Sequence, residues 1–229
     1  MIPVLLTRPA PASRRTEAEL RAMLGSDWPV HVSPLTRIVP LSPRVGGGWG
    51  TIVVTSANGA AALGRLGLDP RIPVVAVGER TAEAARQAGF AARMRGPDAA
   101  GLARALIADP PPGPVLHLRG AEGAGDIAGT LRAAGLPCEE VIAYRQEDAV
   151  PTDAALSLLA GGAPVAVPLY SPASARRLAA LPIRAPLLVA ALSPAVASVA
   201  AAMAPERLVV ASEPAGAFIL RELRALVLP

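Results

Sequence analysis

Three serines stand where a short apolar run gives way to a helical stretch. They are Ser56 in Val-Thr-Ser-Ala-Asn-Gly-Ala, Ser171 in Leu-Tyr-Ser-Pro-Ala-Ser-Ala and Ser193 in Ala-Leu-Ser-Pro-Ala-Val-Ala. A hydroxyl at such a junction accepts the unpaired N–H groups of the first helical turn. The same N–H groups, with hydroxyls beside them, are good hosts for an anion. Thr55, Tyr170 and Ser174 add hydroxyls next to these serines, and Gly78, Arg80 and Thr81 form a similar junction in Val-Ala-Val-Gly-Glu-Arg-Thr-Ala. Each serine taken alone is an ordinary N-cap. Their recurrence in matched places is what points to a ligand.

The spacing repeats along the chain. Ser56 and Ser171 are 171 − 56 = 115 residues apart, and Gly78 and Ser193 are 193 − 78 = 115 apart. Leu102 and Phe218, early in a last helix, are 116 apart, and Leu5-Leu-Thr-Arg8 parallels Leu116-His-Leu-Arg119 at 111. Repetition in register over several elements implies two similar halves. Alanine-rich strand–helix units that merely look alike are the alternative.

The charge on offer is arginine. Basic residues number 22 against 18 acidic ones, the net charge is +4, and no lysine occurs. Guanidinium is a rigid, permanently charged fork suited to carboxylate and phosphate. This composition favours an anionic ligand. Nucleic acid is disfavoured, because aromatic residues are only 3% and no basic run stands out, so platforms for base stacking are lacking.

Other chemistry is poorly supplied. One cysteine, Cys138, excludes an internal disulfide and a cysteine-cluster metal site, and it reads as a small residue near a strand start. His31 and His117 are too few and too scattered for a zinc site. No P-loop, no Gly-x-Gly-x-x-Gly after a strand and no Ser/His/Asp arrangement is visible, so no cofactor is expected. No apolar run reaches the roughly 18–20 residues of a membrane span. The first residues lack a basic start and a cleavage site, so a cytoplasmic protein is expected.

The elements that carry these residues alternate. Strands are predicted at Val4–Thr7, Val30–Ser33, Ile52–Thr55, Val74–Val77, Ala92–Arg95, Val115–Leu118, Glu140–Tyr144, Val165–Tyr170, Leu187–Ala191 and Leu208–Ala211. Helical spacing fills Ser13–Leu24, Ala57–Leu66, Arg80–Ala88 and Ala99–Ala108. Alternation of this kind predicts parallel sheets with helices on both faces. Two such lobes leave a cleft, and the serines fall at the carboxyl ends of strands, where ligands gather.

Taken in order, these segments resemble the uroporphyrinogen-III synthase family over the whole chain. The resemblance rests on Val4-Leu-Leu-Thr-Arg8-Pro9, Val53-Val-Thr-Ser56-Ala-Asn-Gly, Val77-Gly78-Glu-Arg-Thr81-Ala82, Leu118-Arg119-Gly120, Ala143-Tyr144-Arg145, Tyr170-Ser171-Pro172 and Leu192-Ser193-Pro194. It implies an α/β fold of two Rossmann- or flavodoxin-like parallel-sheet domains, joined by a two-stranded antiparallel linker with a cleft between them. Residues 1–35 with 150–229 would form one lobe and 38–146 an inserted second lobe. Linker strands would lie at about 36–41 and 142–149, and the Pro110–Pro112 run becomes a loop.

The resemblance also implies a substrate and a reaction. The substrate is hydroxymethylbilane, a linear tetrapyrrole with many carboxylates. Its hydroxyl leaves, its terminal ring D attacks through a substituted carbon to give a spiro intermediate, and fragmentation and reclosure leave that ring inverted. Tyr144 matches the family's linker tyrosine and would act as general acid; the alternative is a structural tyrosine beside the hinge. Arg8, Thr55, Ser56, Gly78, Arg80, Thr81, Arg119, Tyr170, Ser171, Ser174 and Ser193 would hold the substrate. The implied protein is a monomer without metal, nucleic acid or membrane partner, able to receive its substrate from hydroxymethylbilane synthase. Val196 stands where many relatives have a threonine matching Thr81, so no hydroxyl contact is expected there. A two-lobed binding protein of the periplasmic type and a nucleotide-sugar transferase are the alternative functions, though neither a secretion signal nor an acidic metal motif is visible.

Overall fold

Thr51-Ile-Val-Val54 is β-favouring and Leu187-Leu-Val-Ala-Ala191 is apolar throughout; both are too short for helices, which suits strands covered on both faces. The structure, a computed structural model, describes residues 1–122 and 125–228. In it the strands are β1 (Val4–Leu6), β2 (Val30–Val32), β3 (Thr36–Pro40), β4 (Thr51–Val54), β5 (Val74–Val77), β6 (Ala92–Gly96), β7 (Val115–Gly120), β8 (Cys138–Asp148), β9 (Val165–Leu169), β10 (Leu187–Ala191) and β11 (Arg207–Val210). Every residue of β4, β9 and β10 is buried.

Helices follow the strands: α1 (Ala10–Leu24), α2 (Ala57–Ala60), α3 (Ala62–Arg65), α4 (Glu79–Gln87), α5 (Ala99–Ala108), α6 (Ile127–Ala133), α7 (Asp153–Ala160), α8 (Pro172–Ala179), α9 (Pro194–Ala200) and α10 (Gly216–Val227). The single helix expected over Ala57–Leu66 is divided at Ala61 into α2 and α3. Gly59 and Gly64 lie inside that stretch, and glycine costs about 1 kcal/mol against alanine in a helix interior.

The chain forms two compact units. The first takes Met1–Arg37 together with the chain from Asp148 on, and the second takes Ile38–Glu147. β3 and β8 contain both boundaries and neighbour one another. Leu41 N–H donates to Ala143 O and Ala149 N–H to Leu35 O, so one strand's numbers rise as the other's fall and the pair is antiparallel.

In the first unit the sheet order is β2-β1-β9-β10-β11, and all its strand pairs are parallel. Val4 and Leu6 enter one core with Ile219 and Leu223 of α10, while Leu5 enters another with Leu178 of α8 and Val196 of α9. The period-two alternation of β1 thus fills both faces. Val196 is fully packed in the second of these cores and supplies no polar atom.

In the second unit the order is β3-β8-β7-β4-β5-β6, with β8 to β6 all parallel. Ile52 and Val54 pack with Leu116 and Leu118 on one face; Val53 and Val115 pack with Leu102, Leu106 and Leu131 on the other. No helix of the described residues is long and apolar enough to cross a membrane.

Candidate active site

Strand order selects one place in each sheet. In the first unit, strands in chain order lie 2-1-3-4-5, so the direction of winding reverses between β1 and β9. In the second, β4 to β8 lie in the order 3-2-1-4-5, with the reversal between β4 and β7. Helices after the two strands flanking such a point leave on opposite faces, which opens a crevice at the strands' carboxyl ends. The residues following β1 and β9 are Thr7-Arg8 and Tyr170-Ser171; those at the ends of β4 and β7 are Thr55-Ser56 and Arg119-Gly120. Six of the residues singled out in the sequence therefore stand at a switch point.

In the second unit that crevice is a cavity of about 400 Å³ lined by Thr55, Ser56, Val77, Asp98, His117, Arg119, Gly120 and Tyr144, among others. A cavity of about 450 Å³ opens at the opposite end of the same sheet, against Thr51, Val74 and Ala92 at strand starts. The smaller one is the better candidate, because it gathers the hydroxyl, phenol and guanidinium groups at the carboxyl ends of the strands.

Tyr144 reaches this cavity through an irregularity in β8. The β7–β8 ladder runs Val115↔Cys138 to Arg119↔Ile142, then shifts so that Gly120 faces Tyr144. Ala143 is the extra residue. Without it Tyr144 would share a face with Ile142 and Arg119; with it Tyr144 falls on the face of Leu116 and Leu118. There its hydroxyl lies 2.9 Å from Ser56 Oγ. Ser56 caps α2, its Oγ accepting the Gly59 N–H at 3.0 Å. The phenol is part-buried, with its ring against the α2–α4 side of the core.

Arg119, His117 and Glu140 occupy the other face. Arg119 Nη1 lies 3.3 Å from each Glu140 carboxylate oxygen, and His117 Nδ1 lies 3.3 Å from Glu140 Oε1. His117 is 2% exposed, and neither of its nitrogens makes a well-formed hydrogen bond among the described residues. Burial pushes its pKa below the ordinary value, opposed by the Glu140 charge. Sequence reasoning passed over His117 and Glu140. His117 and Arg119 at i and i+2 on β7 were a legible same-face pair, but the cross-strand register His117↔Glu140 was not.

Gly78 follows β5 and caps α4 with φ +70, a conformation that glycine adopts without strain, and its N–H donates to Gly96 O. It shapes the turn into α4. Its repeat partner Ser193 has φ −156, an extended backbone open to any residue. Thr81 is 7% exposed in the first turn of α4, and Arg80 beside it is exposed. Neither lines the cavity described above. Arg145 is exposed and pairs with Glu147 at 2.5 Å.

In the first unit the Arg8 guanidinium lies over the Tyr170 ring, 4.0 Å from its centroid. Burial raises the Tyr170 pKa above its ordinary value, while the Thr16 hydrogen bond and the Arg8 charge pull it down. Ser171 and Ser174 form a reciprocal capping box on α8: the Ser174 N–H donates to Ser171 Oγ at 3.1 Å and the Ser171 N–H to Ser174 Oγ at 3.2 Å. Ser193 caps α9 without a side-chain hydrogen bond. No group of three His, Cys, Asp or Glu side chains arranged to hold a metal occurs among the described residues.

A family model described as uroporphyrinogen-III synthase HemD matches residues 3–218. No curated protein matches the chain. Among solved structures, the fold is similar to that of uroporphyrinogen-III synthetase from Helicobacter pylori, with TM-score 0.71 and 14% identity over 99% of this chain and 100% of that one. It is also similar to a triple mutant of uroporphyrinogen III synthase from Thermus thermophilus, with TM-score 0.51 and 16% identity over 99% of each chain.

Proposed function

The chain belongs to the uroporphyrinogen-III synthase family, and from that premise we propose that it closes hydroxymethylbilane into uroporphyrinogen III with Tyr144 as the acid that protonates the departing hydroxyl. The observation that carries this assignment of roles is the Ser56–Tyr144 pair at the mouth of a switch-point cavity.

Ser56 Oγ already accepts the Gly59 N–H, so its own proton is free to point at the Tyr144 oxygen. In that arrangement Tyr144 keeps its proton for the substrate. Transfer of the proton lets the C–O bond break and water leave, giving an electrophilic azafulvene. Ring D then attacks through its substituted carbon, the spiro intermediate fragments and recloses, and loss of a proton from the ring carbon balances the one supplied. A general acid is worth about 10²–10⁴-fold. Holding the ends of a flexible chain in one pose is worth more, up to roughly 7–11 kcal/mol for ideal alignment.

The substrate's carboxylates are proposed to meet Thr55, Ser56, Gly78, Arg80, Thr81 and Arg119 of the second unit and Arg8, Tyr170, Ser171, Ser174 and Ser193 of the first. Arg8, stacked on Tyr170, and Arg119, tethered to Glu140, are the two guanidinium groups at switch points. The reaction is that of a hydro-lyase, and the same proposal includes a monomeric cytoplasmic enzyme, free of resident cofactor, that takes its substrate from hydroxymethylbilane synthase. A two-lobed binding protein of the periplasmic type is not favoured, because the family match is to an enzyme.

The test is the lifetime of freshly made hydroxymethylbilane. The chain is expected to shorten it well below that of spontaneous closure. An unchanged lifetime at saturating protein contradicts the proposal.

A further inference from the structure

We infer that Gly120 is a positioning residue for Tyr144: the missing side chain at the end of β7 is the space in which the phenol ring lies. The inference rests on the reading of Tyr144 given above and extends it to a residue with no side chain of its own.

A Cβ built on Gly120 would lie 2.6 Å from Tyr144 Cε2, 2.6 Å from Cζ and 2.9 Å from the hydroxyl oxygen. Carbon atoms in contact sit about 3.5–4.0 Å apart, so even alanine would force the ring outward by roughly 1 Å. The backbone does not call for glycine here, because the Gly120 φ lies outside the positive range where other residues are strained. All three close contacts are to the far end of one side chain. The ring is the part that would yield, and its hydroxyl is the atom held 2.9 Å from Ser56 Oγ.

Two devices therefore act on the same phenol. The extra residue in β8 turns Tyr144 to the α2 face, and the bare Cα of Gly120 lets its ring lie close across β7. The Ala121 N–H donates to Tyr144 O at 2.9 Å, which pins the backbone at this point and leaves only the side chain to move. A misplacement of about 1 Å at a reacting group can cost about 10²-fold in rate.

The experiment compares Gly120→Ala, Tyr144→Phe and the double variant Gly120→Ala/Tyr144→Phe in steady-state assays with hydroxymethylbilane, alongside thermal unfolding. Gly120→Ala is expected to lower kcat by about ten- to a hundredfold with KM within about twofold. In the double variant it should add little to the loss from Tyr144→Phe, because residues that act as one unit are not additive. An unchanged kcat in Gly120→Ala overturns the inference, as do losses that multiply in the double variant. If Gly120→Ala does not fold, Gly120→Ala/Tyr144→Ala replaces it. With the ring gone the methyl has room, so this variant should melt with Tyr144→Ala; a clearly lower melting temperature overturns the inference. Full kcat in Tyr144→Phe instead removes the acid role of Tyr144, and the melting comparison then decides alone whether Gly120 houses the ring.

Discussion

The Tyr144 hydroxyl and Ser56 Oγ lie 2.9 Å apart although 88 residues separate them in the chain. The pair joins β8 to the cap of α2, and with Ser56 as donor the phenol keeps its own proton available. Tyr144→Phe is expected to lower kcat by about 10²-fold or more, the range for loss of a general acid. Its melting temperature should stay close to that of the parent, since only one part-buried hydroxyl is lost. A full rate in this variant would make Tyr144 structural.

Ser171 separates capping from binding. Ala in its place removes the half of the α8 capping box in which Ser171 Oγ accepts the Ser174 N–H, at a cost of about 1 kcal/mol in stability. Urea unfolding measures that loss. Binding of a substrate carboxylate by the same hydroxyl predicts, in addition, a KM raised about ten- to a hundredfold, as for one hydrogen bond to a charged group. A stability loss with unchanged KM would leave Ser171 as a cap alone.

His117 links stability to pH. Its folded pKa lies below the ordinary 6.5 because burial disfavours the charged form. The groups that face it are Glu140, Arg119 and Asp126. Below about 6.5 the unfolded chain takes up a proton at this position that the folded chain refuses, so the unfolded state is favoured there. The histidine contribution is fully present above that pH and is lost as the pH falls toward the folded pKa. Urea unfolding at pH 7.5 and pH 5.5 should show a smaller acid loss in His117→Gln than in the parent. Equal losses would place His117 outside this linkage.

Cys138 tests the absence of thiol chemistry. Burial pushes its pKa from 9.0 up to about 11. At pH 8 only roughly one thiol in a thousand is then ionised, so alkylation of the folded chain should be slow. Cys138→Ala should keep kcat within about twofold and lose about 1 kcal/mol of stability, as for an average buried substitution. Rapid alkylation with loss of turnover would contradict this.

What the sequence disclosed was local. The ten strands read from it all occur in the two sheets, because short runs between turn residues, most of them apolar, have few other places to go. The repeat at 115 residues is physical too: Ser56 and Ser171 both cap the helix after a central strand, and Gly78 and Ser193 both precede α4 and α9. Yet Gly78 and Ser193 differ in backbone conformation, which spacing does not reveal. The face of Tyr144 was not legible, since strict alternation would have set it with Ile142. The cluster of His117, Arg119 and Glu140 needed the register between β7 and β8, which is a property of pairing rather than of either segment.

The most direct test of the whole account is the isomer formed from freshly prepared hydroxymethylbilane, read by chromatography after oxidation of the product. A scaffold that imposes the disfavoured pose should give predominantly the type III isomer, with Tyr144→Phe slower than the parent. Product that is only the type I isomer, at any protein concentration, would contradict it.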